Sequence, residues 1–182
     1  EQPNKTFLSR HRRDNNGSLY KLIRQGQGIV GQHEKKTHPT AGHRDLVEVI
    51  EGLEASSGDE QWRFIRQHFH VVEFIDYFVV NLCIQNWDGF FNNYYAYHDT
   101  EGTGRWEIYP WDEDKTWGDY DGASARYDWY EMPLTYGMAG DPQPASMNPL
   151  AWLGFGGGPS WWRHGGWFSA PLLANPEFRK RF

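Results

Sequence analysis

Asp88 is followed five residues later by Asn93, and a second acidic pair, Asp112 and Asp114, lies beyond a stretch that alternates and turns as a β-hairpin does. In phosphoryl transfer of the protein-kinase type, a loop aspartate accepts the proton of the attacking hydroxyl and an asparagine five residues on helps hold Mg²⁺. An aspartate further along then bridges the metal to the nucleotide phosphates. The residue types fit that chemistry, because Mg²⁺ is a hard cation that takes oxygen ligands and is commonly held by one or two carboxylates plus substrate phosphates. Asp112 or Asp114 with the Asn93 amide oxygen would suffice. The backbone over 112–114 is expected to be extended, with only one of the two aspartates as the main ligand. Asp112, which follows the hairpin directly, is therefore the first choice as metal ligand, with Asp114 serving a second ion or positioning the loop. Gly118 lets the chain turn away.

Other chemistries compete for the same residues. Asp and Asn beside hairpins are commonly turn formers and caps. A calcium loop of the EF type, read from Asp112, places Thr116 and Trp117 where an acidic or amide residue and a glycine belong. A glycosidase needs two carboxylates flanking a sugar, which Asp88 and Asp112 could supply by folding together, with the neighbouring rings stacking on the sugar. Against zinc, the eight histidines show no H-E-x-x-H or similar spacing, and His68 and His70 read as helix-end residues. "HRDL" at His43 to Leu46 opens like a kinase catalytic loop, but five residues after Asp45 stands Ile50 in place of the metal-binding asparagine. Asp45 is expected near a helix N-terminus, where a carboxylate is favoured in any case.

Several elements must position these groups. "GSLYKLIRQGQGIVG" suggests a short strand pair within Phe7 to Val30, with "GQGIVG" as a loop. "QHEKKTHPTAGH" reads as a polar linker. Apolar residues at 46, 47, 49, 50 and 53 make an amphipathic helix, and a second helical segment covers 59 to 69. "VVEFIDYFVVNLCIQ" makes a third helix that is apolar on most faces and so central, delivering the chain to Asn86. The hairpin has arms "NNYYAYH" and "RWEIYPW", with Gly102 and Gly104 in its loop. Beyond Gly118 the sequence is rich in Gly, Pro and aromatics until "NPEFRKRF", where Asn175 as cap and Pro176 at the first position start a helix.

The 182 residues fit one domain, and both ends read as cuts from a longer protein. A net charge of -6 without a basic cluster argues against nucleic acid as a partner, and no apolar run reaches the roughly 18 to 20 residues of a membrane span. The single Cys83 cannot form an internal disulfide and reads as a buried thiol. Asn4 and Asn16 sit in glycosylation sequons.

Taken together, "LYK" at Leu19 to Lys21, "NWDGFFNNYYAYHD" at Asn86 to Asp99 and "GRWEIYPWDEDKTWG" at Gly104 to Gly118 resemble the CotH family of spore-coat protein H-like kinases. "NPEFRKRF" is similar to a helix found after these motifs in that family. The resemblance implies an atypical, secreted-type protein-kinase fold of the α+β class that transfers the γ-phosphoryl group of ATP to Ser or Thr of a protein, with Mg²⁺ or Mn²⁺. By position, Asp88 resembles the catalytic aspartate, Asp112 the metal-binding one, and Asn93 falls where the asparagine ligand is expected. Lys21 is the candidate for the lysine that grips ATP phosphates. The chain then divides into an N-lobe remnant and linker (1–44), a helical core with catalytic loop and metal hairpin (45–118), and Gly/Trp-rich loops ending in a helix start (119–182). It would be mainly the helical C-lobe, with the N-lobe largely missing. The resemblance places the protein on spore coats, on cell surfaces or in secretion. An alternative is a kinase-like surface module without catalysis, in which "WLGFGGGPSWWRHGGWF" recognises a glycan or protein partner.

Overall fold

The computed structural model describes residues 1–23, 25–86, 88–117, 134 and 165–182. The chain begins with α1 (Lys5–Arg10), whose first turn is closed by the Asn4 side chain accepting from the Phe7 amide at 2.9 Å. Then come β1 (Ser18–Leu22), α2 (Gly28–Gln32) and β2 (His33–Lys35). Three longer helices come next, α3 (Arg44–Glu54), α4 (Gly58–His68) and α5 (Val71–Cys83), and then the hairpin strands β3 (Tyr94–His98) and β4 (Trp106–Pro110). Near the C-terminus lie α6 (Ser169–Ala174) and α7 (Pro176–Arg179).

The strands form one antiparallel sheet in the order β2-β1-β3-β4. Side chains alternate across a strand, so the sheet has two faces. Tyr20, Leu22, Tyr94, Ala96, Trp106 and Ile108 face the main core, where they meet residues such as Leu46, Ile50, Phe74 and Phe78 from the helices. Leu19, Tyr95 and Tyr97 face the other way and are covered by Leu8 of α1, with Phe7, Tyr109 and Trp111 at the margin. The rings around the acidic residues are largely packing: Tyr94, Tyr95, Tyr97 and Trp106 are all 1% exposed or less. Each buried ring contributes roughly 2–3 kcal/mol of apolar transfer free energy.

Several local expectations are corrected. "GQGIVG" is not all loop, because Gly28–Gln32 closes into α2. β1 finds its partners outside Phe7–Val30: β2, inside the supposed linker, and β3, far along the chain. The helix α5 is less central than its composition suggests. Phe74, Tyr77, Phe78, Asn81 and Leu82 form its buried stripe, whereas Val72 and Val80 are 69% and 54% exposed. Cys83 is exposed, because it lies one step past Leu82 and rotates off that stripe.

At the C-terminal end, the Asn175 side chain accepts from the Glu177 and Phe178 amides at 3.0 and 3.1 Å, with Pro176 in the first turn of α7, as its sequence suggests. The same side chain donates to the Gly58 carbonyl and to Gln61 Oε1, which binds α7 to α4. Gly118 and most of 119–182 lie outside the described residues. The aromatic run proposed for glycan recognition falls there too, except for 165–168.

Candidate active site

The helix α5 ends at Cys83, and Gln85 takes a left-handed conformation (φ 55°) that redirects the chain. Asn86, with no exposed surface, then anchors the loop that carries Asp88. Its backbone amide donates to the Asn81 carbonyl at 2.9 Å, and its Nδ2 donates to Asn81 Oδ1 at 2.7 Å and to Glu113 Oε2. Its Oδ1 accepts from the backbone amides of Asp88 and Gly89 at 3.2 and 3.3 Å. Asn81 is itself held by donating to the Tyr77 carbonyl at 2.8 Å. A chain of buried amides thus runs from the interior of α5 to that loop. Satisfied networks of this kind rigidify the segment they hold.

Asp88 is 5% exposed. Its carbonyl accepts from the Phe91 and Asn92 amides at 3.1 and 2.8 Å, closing a single turn. Its Oδ2 accepts from Asn93 Nδ2 at 2.8 Å, with Asn92 Nδ2 at 3.5 Å, while Oδ1 is buried without a hydrogen-bond partner among the described residues. Burial pushes the carboxyl pKa up to about 6. The bonds from Asn92 and Asn93 oppose that shift, and the nearby charges of Asp114 and Asp112 add to it.

The hairpin sets the remaining geometry. Tyr94 pairs with Pro110, so the residues just outside the ladder, Asn93 and Trp111, face each other, and the Trp111 amide donates to the Asn93 carbonyl at 3.1 Å. Asn93 Nδ2 also approaches the Asp112 carbonyl at 3.3 Å. Asn93 and Asp112 both sit at positive φ, 53° and 58°, a region that Asn and Asp tolerate better than most residues. Here the expectation of an extended 112–114 segment fails. With Asp112 left-handed and the chain turning at Glu113 and Asp114, the side chains of 112–114 do not follow the alternation of a strand. Both bear on Asp88, Asp114 more strongly than Asp112.

Glu113 lies between them and escaped the sequence reading. Burial pushes its carboxyl up to about 7. The bond from Asn86 opposes this, and the charges of Asp88 and Asp112 reinforce it. Its place inside the run "WDED" is the one signal the sequence offers for it. Among the described residues, none of Asp88, Asp112, Glu113 and Asp114 has a Lys, Arg or His ion-pair partner. A groove of about 400 Å³ between α5 and β4 reaches the site through Asn81 and Glu113.

Lys21 stands apart from this cluster. It is half-buried on β1 opposite Tyr95, and its ammonium lies 4.9 Å from the centre of the Trp111 ring and 6.0 Å from that of Tyr95. That is a cation–π seat on the residue preceding Asp112.

Asp45 is engaged elsewhere. Tyr20 donates to its Oδ1 at 2.5 Å, His98 Nδ1 lies 3.0 Å from its Oδ2, and Lys35 is at 3.9 Å. Burial works against its charge, but the His98 and Tyr20 bonds prevail and hold its carboxyl well below the usual range. The helix-start reading of "HRDL" therefore describes a structural anchor. One further cluster, His70, Glu73 and Glu107, has the spacing of a metal site. Arg13 already occupies it, donating to Glu107 at 2.7 Å and to Glu73 at 3.2 Å.

This α+β arrangement of an antiparallel sheet backed by helices is compatible with one family of proteins named for kinase activity. A family model described as CotH kinase protein matches residues 1–182, and the chain belongs to that family. A search of curated proteins finds no match.

Proposed function

We propose that this protein is a divalent-metal-dependent protein kinase that transfers the γ-phosphoryl group of ATP to a Ser or Thr hydroxyl. The observation that carries the reading is the convergence of Asp88, Asn93, Asp112 and Asp114 at the open end of one hairpin, with Asp88 held by Asn93 at 2.8 Å.

The donor set suits Mg²⁺ or Mn²⁺. Asp112 and Asp114 are exposed carboxylates with no cationic partner among the described residues. Asn93 spends its amide nitrogen on Asp88 and the Asp112 carbonyl, leaving its oxygen for a cation. Asp112, Asn93 and Asp114 would hold the metal. When bound, the metal with ATP supplies the phosphoryl group and offsets its charge. Asp88 would accept the hydrogen of the incoming hydroxyl, with Asn93 holding its Oδ2 at 2.8 Å. A carboxyl whose pKa lies near 6 is ionised at neutral pH and still basic enough to take a proton. Lys21 is the proposed phosphate-facing cation, which requires its ammonium to leave the Trp111 ring.

In this reading α3, α4 and α5 with the hairpin correspond to the helical lobe of a protein kinase. The family resemblance supports placement on a spore coat, on a cell surface or in secretion. No described helix is long and apolar enough to cross a membrane.

Thermal denaturation with Mg²⁺ and ATP tests the binding half of the proposal. Ligand at about 100 times its Kd stabilises the native state by roughly 2.7 kcal/mol. The unfolding midpoint should rise in the wild type and move much less in Asp112→Ala. An unchanged midpoint in the wild type at saturating metal and nucleotide would count against the proposal.

A further inference from the structure

We propose that Glu113 is a positioning residue for Asp88, acting through Asn86. The inference rests on the phosphotransfer reading and names a part that reading does not need.

Asn86 is completely buried, and both halves of its amide are engaged. The nitrogen side gives one hydrogen to Asn81 Oδ1 and one to Glu113 Oε2, and the oxygen side receives the amides of Asp88 and Gly89. A buried amide satisfied in this way has one orientation. Rotated by half a turn, its oxygen would face two acceptors and its NH₂ two donors, leaving buried polar groups unpaired at about 1–3 kcal/mol each. The acceptor supplied by Glu113 therefore helps fix the orientation that receives the Asp88 and Gly89 amides, and with them the start of the loop.

Glu113 also lies between Asp112 and Asp114, so the turn carrying the proposed metal ligands is the turn that holds Asn86. Two ties join loop and turn. Asn93 reaches the Asp112 carbonyl at 3.3 Å on the hairpin side, and Asn86 reaches Glu113 on the side of α5. Asp88 lies in sequence between Asn86 and Asn93, so it is bracketed by them. Neither tie alone fixes both ends of the segment that carries the base. Misplacement of a reacting group by about 1 Å can cost about 100-fold in rate, so losing the α5-side tie should appear in turnover before it appears in folding.

The test compares Glu113→Gln with Glu113→Met in the full-length protein. Both replacements keep the length of the side chain, and only Gln keeps an oxygen that can accept from Asn86. Turnover with Mg²⁺ and ATP is measured per folded molecule, beside Asp88→Ala. The expectation is that the Met variant loses about 10- to 100-fold in kcat while the Gln variant stays within about threefold of wild type. A Gln variant as slow as the Met variant would overturn the role, and so would a Met variant with wild-type turnover. If the Met variant does not fold, the Gln variant decides alone, since a loss beyond tenfold in it contradicts an acceptor role. Full transfer by Asp88→Ala marks failure of the phosphotransfer reading instead, because that control is independent of Glu113.

Discussion

The Tyr77 hydroxyl donates to the Gly89 carbonyl at 2.6 Å, tying a buried ring in the middle of α5 to the loop that presents Asp88. Removing the hydroxyl with Tyr77→Phe leaves that carbonyl without this donor in a buried setting, at a cost of about 1–3 kcal/mol. Urea denaturation should show an unfolding free energy lower by that amount, with a lower midpoint and an unchanged slope. A variant as stable as the wild type would mean the bond contributes nothing to holding the loop.

Gly89 itself has no room for a side chain. A Cβ at this position would overlap Asn81 Oδ1 and stand 2.8 Å from Asn86 Nδ2, two atoms bonded to each other. Gly89→Ala must therefore push apart the Asn81–Asn86 pair, and overpacking of this kind typically costs about 1–3 kcal/mol. The expected result is a lower melting temperature together with reduced nucleotide turnover. Gly104→Ala gives the contrast, because nothing lies within 4 Å of a Cβ there, although its φ of 67° still disfavours alanine.

His33 supplies a pH dependence away from the site. It is 2% exposed, with Nδ1 2.7 Å from the Ile29 carbonyl and Nε2 3.2 Å from the Tyr94 hydroxyl. Burial pushes its pKa down to about 4. The Ile29 bond opposes this and the charge of His43 adds to it. Below about 6.5 the unfolded chain takes up a proton that the folded chain refuses until about 4, so stability falls as pH is lowered through that window, by up to about 3 kcal/mol. Denaturation curves between pH 7.5 and 4, as round working limits about that window, should show this slope in the wild type and a shallower one in His33→Gln. Parallel slopes would remove His33 as the cause.

Local pattern made the hairpin legible. "YYAYH" and "WEIYP" alternate, and Asn93 and Asp112 are neighbours because Tyr94 pairs with Pro110. The family itself was legible in "NWDGFFNNYYAYHD" and the "WDED" beyond it. The place of β1 between β2 and β3 lay outside the reach of local pattern, since pairing between distant segments leaves little trace in either one. The turn at 112–114 was missed for a related reason. An extended chain would turn Glu113 away from Asp112 and Asp114, whereas Asp112 sits at positive φ with its carbonyl 3.3 Å from Asn93 Nδ2. The apolar neighbours of Cys83 suggest burial, but one step along a helix turns a side chain by about 100° and leaves it exposed.

The most direct measurement is transfer of the terminal phosphate of radiolabelled ATP to protein, with Mg²⁺, by the full-length protein and by its Asp88→Ala and Asp112→Ala variants. A positioned general base is worth about 100- to 10,000-fold, so each variant should lose at least about 100-fold in transfer while remaining folded. Transfer at wild-type levels in both variants would contradict the assignment of this loop and turn as the site of phosphoryl transfer.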